Sequence, residues 1–206
     1  MYSTVMEKFL ENYPFSDSRV KLVEGFSAYD GVIGDTPGEA HKGIDYVLIL
    51  DDAYLPFAVA SMHDGMAFHG TSDTWGKFVI IYKTMDRKHY NTIYAHLDEV
   101  SSNIPLQFLG KDGKRVLNED GFTIRAGEFL GTAGITGATN GIVQLHIELH
   151  EKDLVTGLNQ KLDPYGVNDR ASSGQYPQPS QSLSGLNHFW FEDKPHFSQP
   201  RVESEF

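Results

Sequence analysis

Val143-Gln-Leu-His-Ile-Glu-Leu-His150 alternates apolar and polar residues without a break, the period of a β-strand with one face buried and one face chemically equipped. Residues two apart share a face, so Gln144 and His146 point the same way with Cα atoms roughly 7 Å apart. The same reading extends outward. Ile44, Tyr46 and Leu48 alternate with Asp45 and Val47, and Trp75-Gly-Lys-Phe-Val-Ile-Ile-Tyr82 is an apolar run suited to a central strand. Thr92-Ile-Tyr-Ala-His96-Leu97 reads as another strand, with Tyr94 and His96 on one face by the same rule. With 20 glycines and short apolar runs separated by Gly, Asn and Asp, the chain reads as all-β, a mostly antiparallel two-sheet fold with a groove.

Three of these strands can converge imidazoles on one spot, His96 and His146 from within theirs and His41 from just before the run at 44–48. His41-Lys-Gly-Ile-Asp45 and Gln144-Leu-His146 together offer two imidazoles and one carboxylate, a set that holds zinc while leaving a position open for water. Such a centre suits hydrolysis. His63, His69, His89, His150, His188 and His196 lie in no ligand spacing and read as surface or hydrogen-bonded core residues, and Asp51-Asp52 reads as a solvated turn.

The order of motifs, His41-x-Gly43-x-Asp45, then Pro56-Phe-Ala-Val-Ala60 and Asp64-Gly65, then Tyr94-Ala-His96-Leu97, then Leu130-Gly-Thr-Ala-Gly-Ile-Thr-Gly137 running into Leu145-His146-Ile-Glu148, resembles the lysostaphin-type (LytM-like) zinc endopeptidases over residues 38–166. The resemblance implies Zn²⁺ on His41, Asp45 and His146, a catalytic His96 beside the metal, and Tyr94 in the substrate groove. It also implies a peptide substrate in the cross-bridges or stems of peptidoglycan, and an extracytoplasmic location. One position departs from the family: two residues before the last ligand, where a histidine is usual, this chain has Gln144. Glutamine hydrogen-bonds through its amide but exchanges no proton near neutral pH, so Gln144 cannot act as general base. The alternative function is therefore a homologue that keeps its zinc but turns over weakly or not at all, and serves in cell-wall binding or regulation. A weaker likeness of residues 59–65 and 125–131 to the half-motifs of lipoyl or biotin carriers fails for want of a lysine at the hairpin tip, where His63 and Asp64 stand.

Composition bounds these readings. A length of 206 residues and 40% hydrophobic content suit one well-buried domain with extensions. A net charge of −11 argues against nucleic acid as partner and provides no field to steer the protein onto anionic cell walls. With no cysteine, the metal must rely on nitrogen and oxygen ligands. No run reaches membrane-spanning length, and the first residues lack the pattern of a secretion signal, so the chain as given is expected to stay in the cytosol unless it is a mature form with its leader removed or another route, such as lysis or phage assembly, delivers it.

Three segments follow: a lead-in at 1–37, with a short helix expected over 2–13 and a strand over 20–26; the motif-bearing domain at 38–166, with a polar loop at 101–120; and a tail at 167–206, in which a Ser/Gln/Pro-rich linker leads to rings that must be buried. The tail is expected to dock on the domain's flank, to cover the groove or to meet a partner.

Overall fold

In the computed structural model, residues 8–26, 41–106, 122–166, 176–186 and 188–198 are described, and they contain strands and turns but no helix. None of the described elements is a helix long and apolar enough to cross a membrane. The expectations for residues 2–7, for the turn at 27–37, for most of the 101–120 loop and for the linker at 171–175 lie outside the described residues.

The spine of the fold is an antiparallel sheet. β2 (Lys21–Glu24), β3 (Ile44–Leu50), β11 (Leu145–Asp153), β8 (Lys88–Val100), β7 (Gly76–Met85), β6 (Gly65–Ser72) and β9 (Phe122–Ile124) lie side by side in that order. β4 (Ala53–Leu55) joins β3, β12 (Asn159–Leu162) joins β11, and β10 (Phe129–Ala133) links β5 (Ala58–Ala60) to β8. The strands expected from alternation over 143–150, 44–48, 75–82 and 92–97 are β11, β3, β7 and part of β8. Asp51 and Asp52 form the two-residue turn between β3 and β4, both with positive φ (48° and 62°), as a tight hairpin requires.

Alternation sorts the side chains. Ile44, Tyr46, Leu48, Leu145, Ile147 and Leu149 enter the main core, while Asp45, His146, Glu148 and His150 face the other way. On that second face Phe68, Phe78, Ile80, Ile93 and Ala95 form a smaller apolar cluster.

The chain's two ends meet on the main-core face. The expected helix over 2–13 is not formed in its described part: residues 8–13 are extended, and β1 (Asn12–Tyr13) pairs in parallel with β13 (His196–Phe197). The backbone explains this correction. The amides of Phe9 and Leu10 donate to the Phe189 carbonyl and those of Glu11 and Asn12 to the Met62 carbonyl, so long-range partners take the donors a helix would use. The tail's rings dock on the flank. Phe189 and Trp190 are buried with Phe9, Tyr13 and Tyr165, and each fully buried ring contributes roughly 1.5–3 kcal/mol. They occupy the face opposite Asp45 and His146, so these two rings do not cover that site.

Candidate metal centre

His41, Asp45 and His146 come together from three points of the chain because β3 and β11 pair in one register: Asp45 stands directly across from His146. Gly43 makes room between them. A Cβ there would stand 2.7 Å from His146 Cε1 and 2.3 Å from the Ile147 carbonyl oxygen, so the space the imidazole fills is the space a side chain would take. His146 Nδ1 lies 2.7 Å from Asp45 Oδ1 and 3.1 Å from His41 Nε2, and His41 Nε2 lies 3.5 Å from Asp45 Oδ1.

That triangle fits a metal. Bonds of about 2.0–2.2 Å in tetrahedral array separate donors by roughly 3.3 Å, and the three edges bracket that value. All three side chains are buried, and Asp45 Oδ2 has no hydrogen-bond partner, an unmet demand that a cation would satisfy. The far nitrogens are already committed. His41 Nδ1 donates to the Gly25 carbonyl at 3.0 Å, and His146 Nε2 faces Glu148 Oε1 at 3.3 Å, which leaves His41 Nε2 and His146 Nδ1 for the ion.

Glu148, to which the sequence reading assigned no role, organises this second layer. Its carboxylate also accepts from His150 Nε2 at 2.6 Å, Lys161 Nζ at 2.5 Å and Trp75 Nε1 at 3.2 Å. His150 thus stays outside the ligand triangle and reaches His146 only through Glu148. The one hint in the sequence was their shared face on the strand.

His96 reaches the site by an irregularity. β8 carries a bulge where Tyr94 pairs with Val79 but Leu97 pairs with Lys77, and within it His96 adopts φ of 64°. Tyr94 and Leu97 therefore both enter the main core while the His96 ring turns to the opposite face, its centroid 5.7 Å from that of His146. The expected sharing of a face by Tyr94 and His96 fails here, and the groove role expected for Tyr94 fails with it: Tyr94 is fully buried and its hydroxyl accepts from the Met62 amide at 2.9 Å. His96 Nδ1 donates to the Thr136 carbonyl at 2.8 Å, so its Nε2 carries the lone pair.

Gly134 stands between His96 and Gln144, donating its amide to the His96 carbonyl (2.9 Å) and accepting the Gln144 amide on its own carbonyl (3.0 Å). Gln144 is buried and its Oε1 has no hydrogen-bond partner. Elsewhere, His63 is a satisfied core residue, held between the Asp64 carbonyl and Thr92 Oγ1 and pushed down to about 4 by burial.

Burial works against charge on the ligand imidazoles, but Asp45 beside them outweighs it. His41 is held above its ordinary value, His146 is pushed up to about 10, and Asp45 is held well below the carboxylate range by the two rings despite its burial. For His96, burial, with the charge on His146, outweighs the pull of Asp45 and pushes it down to about 4. The metal-free protein therefore carries a proton on the His146 side at neutral pH, and an entering cation must displace it. Zinc affinity is expected to rise with pH between about 6 and 8, by up to tenfold per unit for each proton released. Isotherms in buffers of different ionisation enthalpy measure that proton directly, and a pH-independent affinity would contradict the charge state.

No protein-family model and no curated protein sequence matches the chain. Among solved structures it is similar to Helicobacter pylori Csd3 (20% identity, 80% of this chain and 36% of that one, TM-score 0.46). It is also similar to LytU (20% identity, 73% and 84%, TM-score 0.46) and to the antimicrobial peptidase lysostaphin from Staphylococcus simulans (18% identity, 80% and 57%, TM-score 0.48). The chain thus spans about a third of the Csd3 chain and somewhat over half of the lysostaphin chain.

Proposed function

We propose that this chain is a zinc-dependent metallopeptidase that hydrolyses peptide amide bonds, with the cross-bridge or stem peptides of peptidoglycan as substrate. The observation that carries the reading is the buried triangle of His41 Nε2, Asp45 Oδ1 and His146 Nδ1 with His96 beside it. The motif resemblance supplies the substrate class.

A zinc ion held by His41, Asp45 and His146 would polarise a scissile carbonyl and lower the pKa of a water. The protein's own groups do the rest. His96 stays neutral at pH 7 with Nε2 unprotonated, so it is poised to accept a proton from the attacking water and return it to the leaving amine. Glu148 and the Gly25 carbonyl fix the two ligand rings in the tautomers the metal needs. Gln144 moves no proton; its buried amide can only orient a polar group by hydrogen bonding.

Gln144 also favours the second reading, a zinc-retaining binding protein with little turnover. Release of new amino groups from purified peptidoglycan by the zinc-loaded protein separates the two: release supports the peptidase, and its absence in a sample carrying one zinc per chain supports the binding protein. Gln144→His is expected to raise turnover tenfold or more by adding a second exchangeable proton site next to Gly134. An unchanged or lower rate would count against the reading that Gln144 weakens the acid-base machinery.

A further inference from the structure

Resting on that metal site, we infer that the segment 176–183 of the C-terminal tail is a strap that positions the ligand His41, with Tyr176 and Gln178 as positioning residues. Among the described residues, His41 is aimed by a single backbone group, the Gly25 carbonyl that accepts from Nδ1 at 3.0 Å. Gly25 follows directly on the end of β2, an edge strand whose neighbour on one side is β3 and whose other side is met by the tail. Gln178 acts there as a substitute strand: its Oε1 accepts from the Leu22 amide at 3.1 Å and its Nε2 donates to the Leu22 carbonyl at 3.0 Å. This double bond fixes the end of β2 two residues before Glu24 and three before Gly25.

Tyr176 then clamps Gly25 itself. Its ring packs against the glycine, so close that a Cβ on Gly25 would stand 2.1 Å from Tyr176 Cε2. The ring is held by its own hydroxyl, which sits 2.8 Å from Asp163 Oδ2 and 3.0 Å from the Phe26 carbonyl, with Tyr176 almost fully buried. Asp163 is in turn anchored by accepting the Tyr165 amide at 2.8 Å. The path runs from Asp163 through the Tyr176 hydroxyl and ring to the Gly25–Phe26 backbone, and from the Gly25 carbonyl to His41 Nδ1. A carbonyl held on both flanks keeps the imidazole at one angle; a carbonyl released from the strap lets it turn, and the metal then has to meet the cost of ordering it.

The test measures metal affinity and metal-free stability side by side in the full chain. Tyr176→Phe keeps the ring on Gly25 but removes the hydroxyl tether, and Gln178→Ala removes the substitute strand. Each is expected to weaken zinc binding about tenfold, as loss of an outer partner of a metal-bound histidine does, and to alter the visible spectrum of the Co²⁺-substituted protein while the melting temperature of the chelated protein stays near that of wild type. Unchanged zinc affinity in both variants would overturn the strap. So would a loss of affinity fully matched by a loss of metal-free stability, which would make the segment plain scaffolding. Failure of the wild-type protein to bind zinc would instead overturn the metal site, so the two ideas fail in different samples.

Discussion

His41→Ala is expected to lower zinc affinity by roughly 10²–10³-fold and to leave amide hydrolysis at the level of buffer. The magnitude follows from the ligand count: about 10–16 kcal/mol for a four-ligand zinc site is roughly 2.5–4 kcal/mol per ligand, and one ligand of three is lost here. The fold should survive the change. His41 packs at the edge of the sheet on the Gly25 carbonyl, and the main core lies on the other face. Proton competition at His146 is not relieved by the change, since His146 loses a neighbouring positive charge while keeping Asp45 at 2.7 Å and so holds its proton more firmly. Calorimetric titration of the chelated variant beside wild type checks the affinity, and unchanged binding would remove His41 from the ligand set.

His96→Asn is expected to lower kcat and kcat/KM together by roughly 10²–10⁴-fold with zinc affinity close to wild type, the pattern of a group that acts on the proton in the transition state. Asparagine is the right probe because position 96 has φ of 64°, a left-handed conformation it tolerates better than alanine does. A lost catalytic group is then not confused with a strained bulge. His96 and Gln144 make opposite predictions: replacing the first removes the available base, while Gln144→His adds one. A rate that survives His96→Asn would assign the proton work elsewhere, with the Glu148 web as the next candidate.

The strands were legible because their faces differ in chemistry at period two. Over residues 143–150 and 44–48 the pattern named both the strand and the side on which the candidate metal site lies, and the spacing His41-x-Gly43-x-Asp45 placed two candidate ligands near a third that arrives from β11. What the pattern could not carry was any feature that breaks it. A one-residue bulge sends His96 to the opposite face from Tyr94, and no local composition marks that bulge. The helix expected over 2–13 failed in its described part, 8–13, for a similar reason: the backbone partners there are Met62 and Phe189, far away in sequence. The Glu148 web draws on Trp75, His150 and Lys161, and the Tyr176 clamp on Gly25 closes over 150 residues of chain, contacts that exist only once the sheet has formed.

Hydrolysis measured against zinc equivalents tests the central claim most directly. Protein stripped by a chelator should release no amino groups from peptidoglycan, and activity should return in proportion to added Zn²⁺ and level off at one equivalent per chain. Activity that persists without zinc, or one tightly bound equivalent that brings no hydrolysis, would contradict a zinc peptidase built on His41, Asp45 and His146.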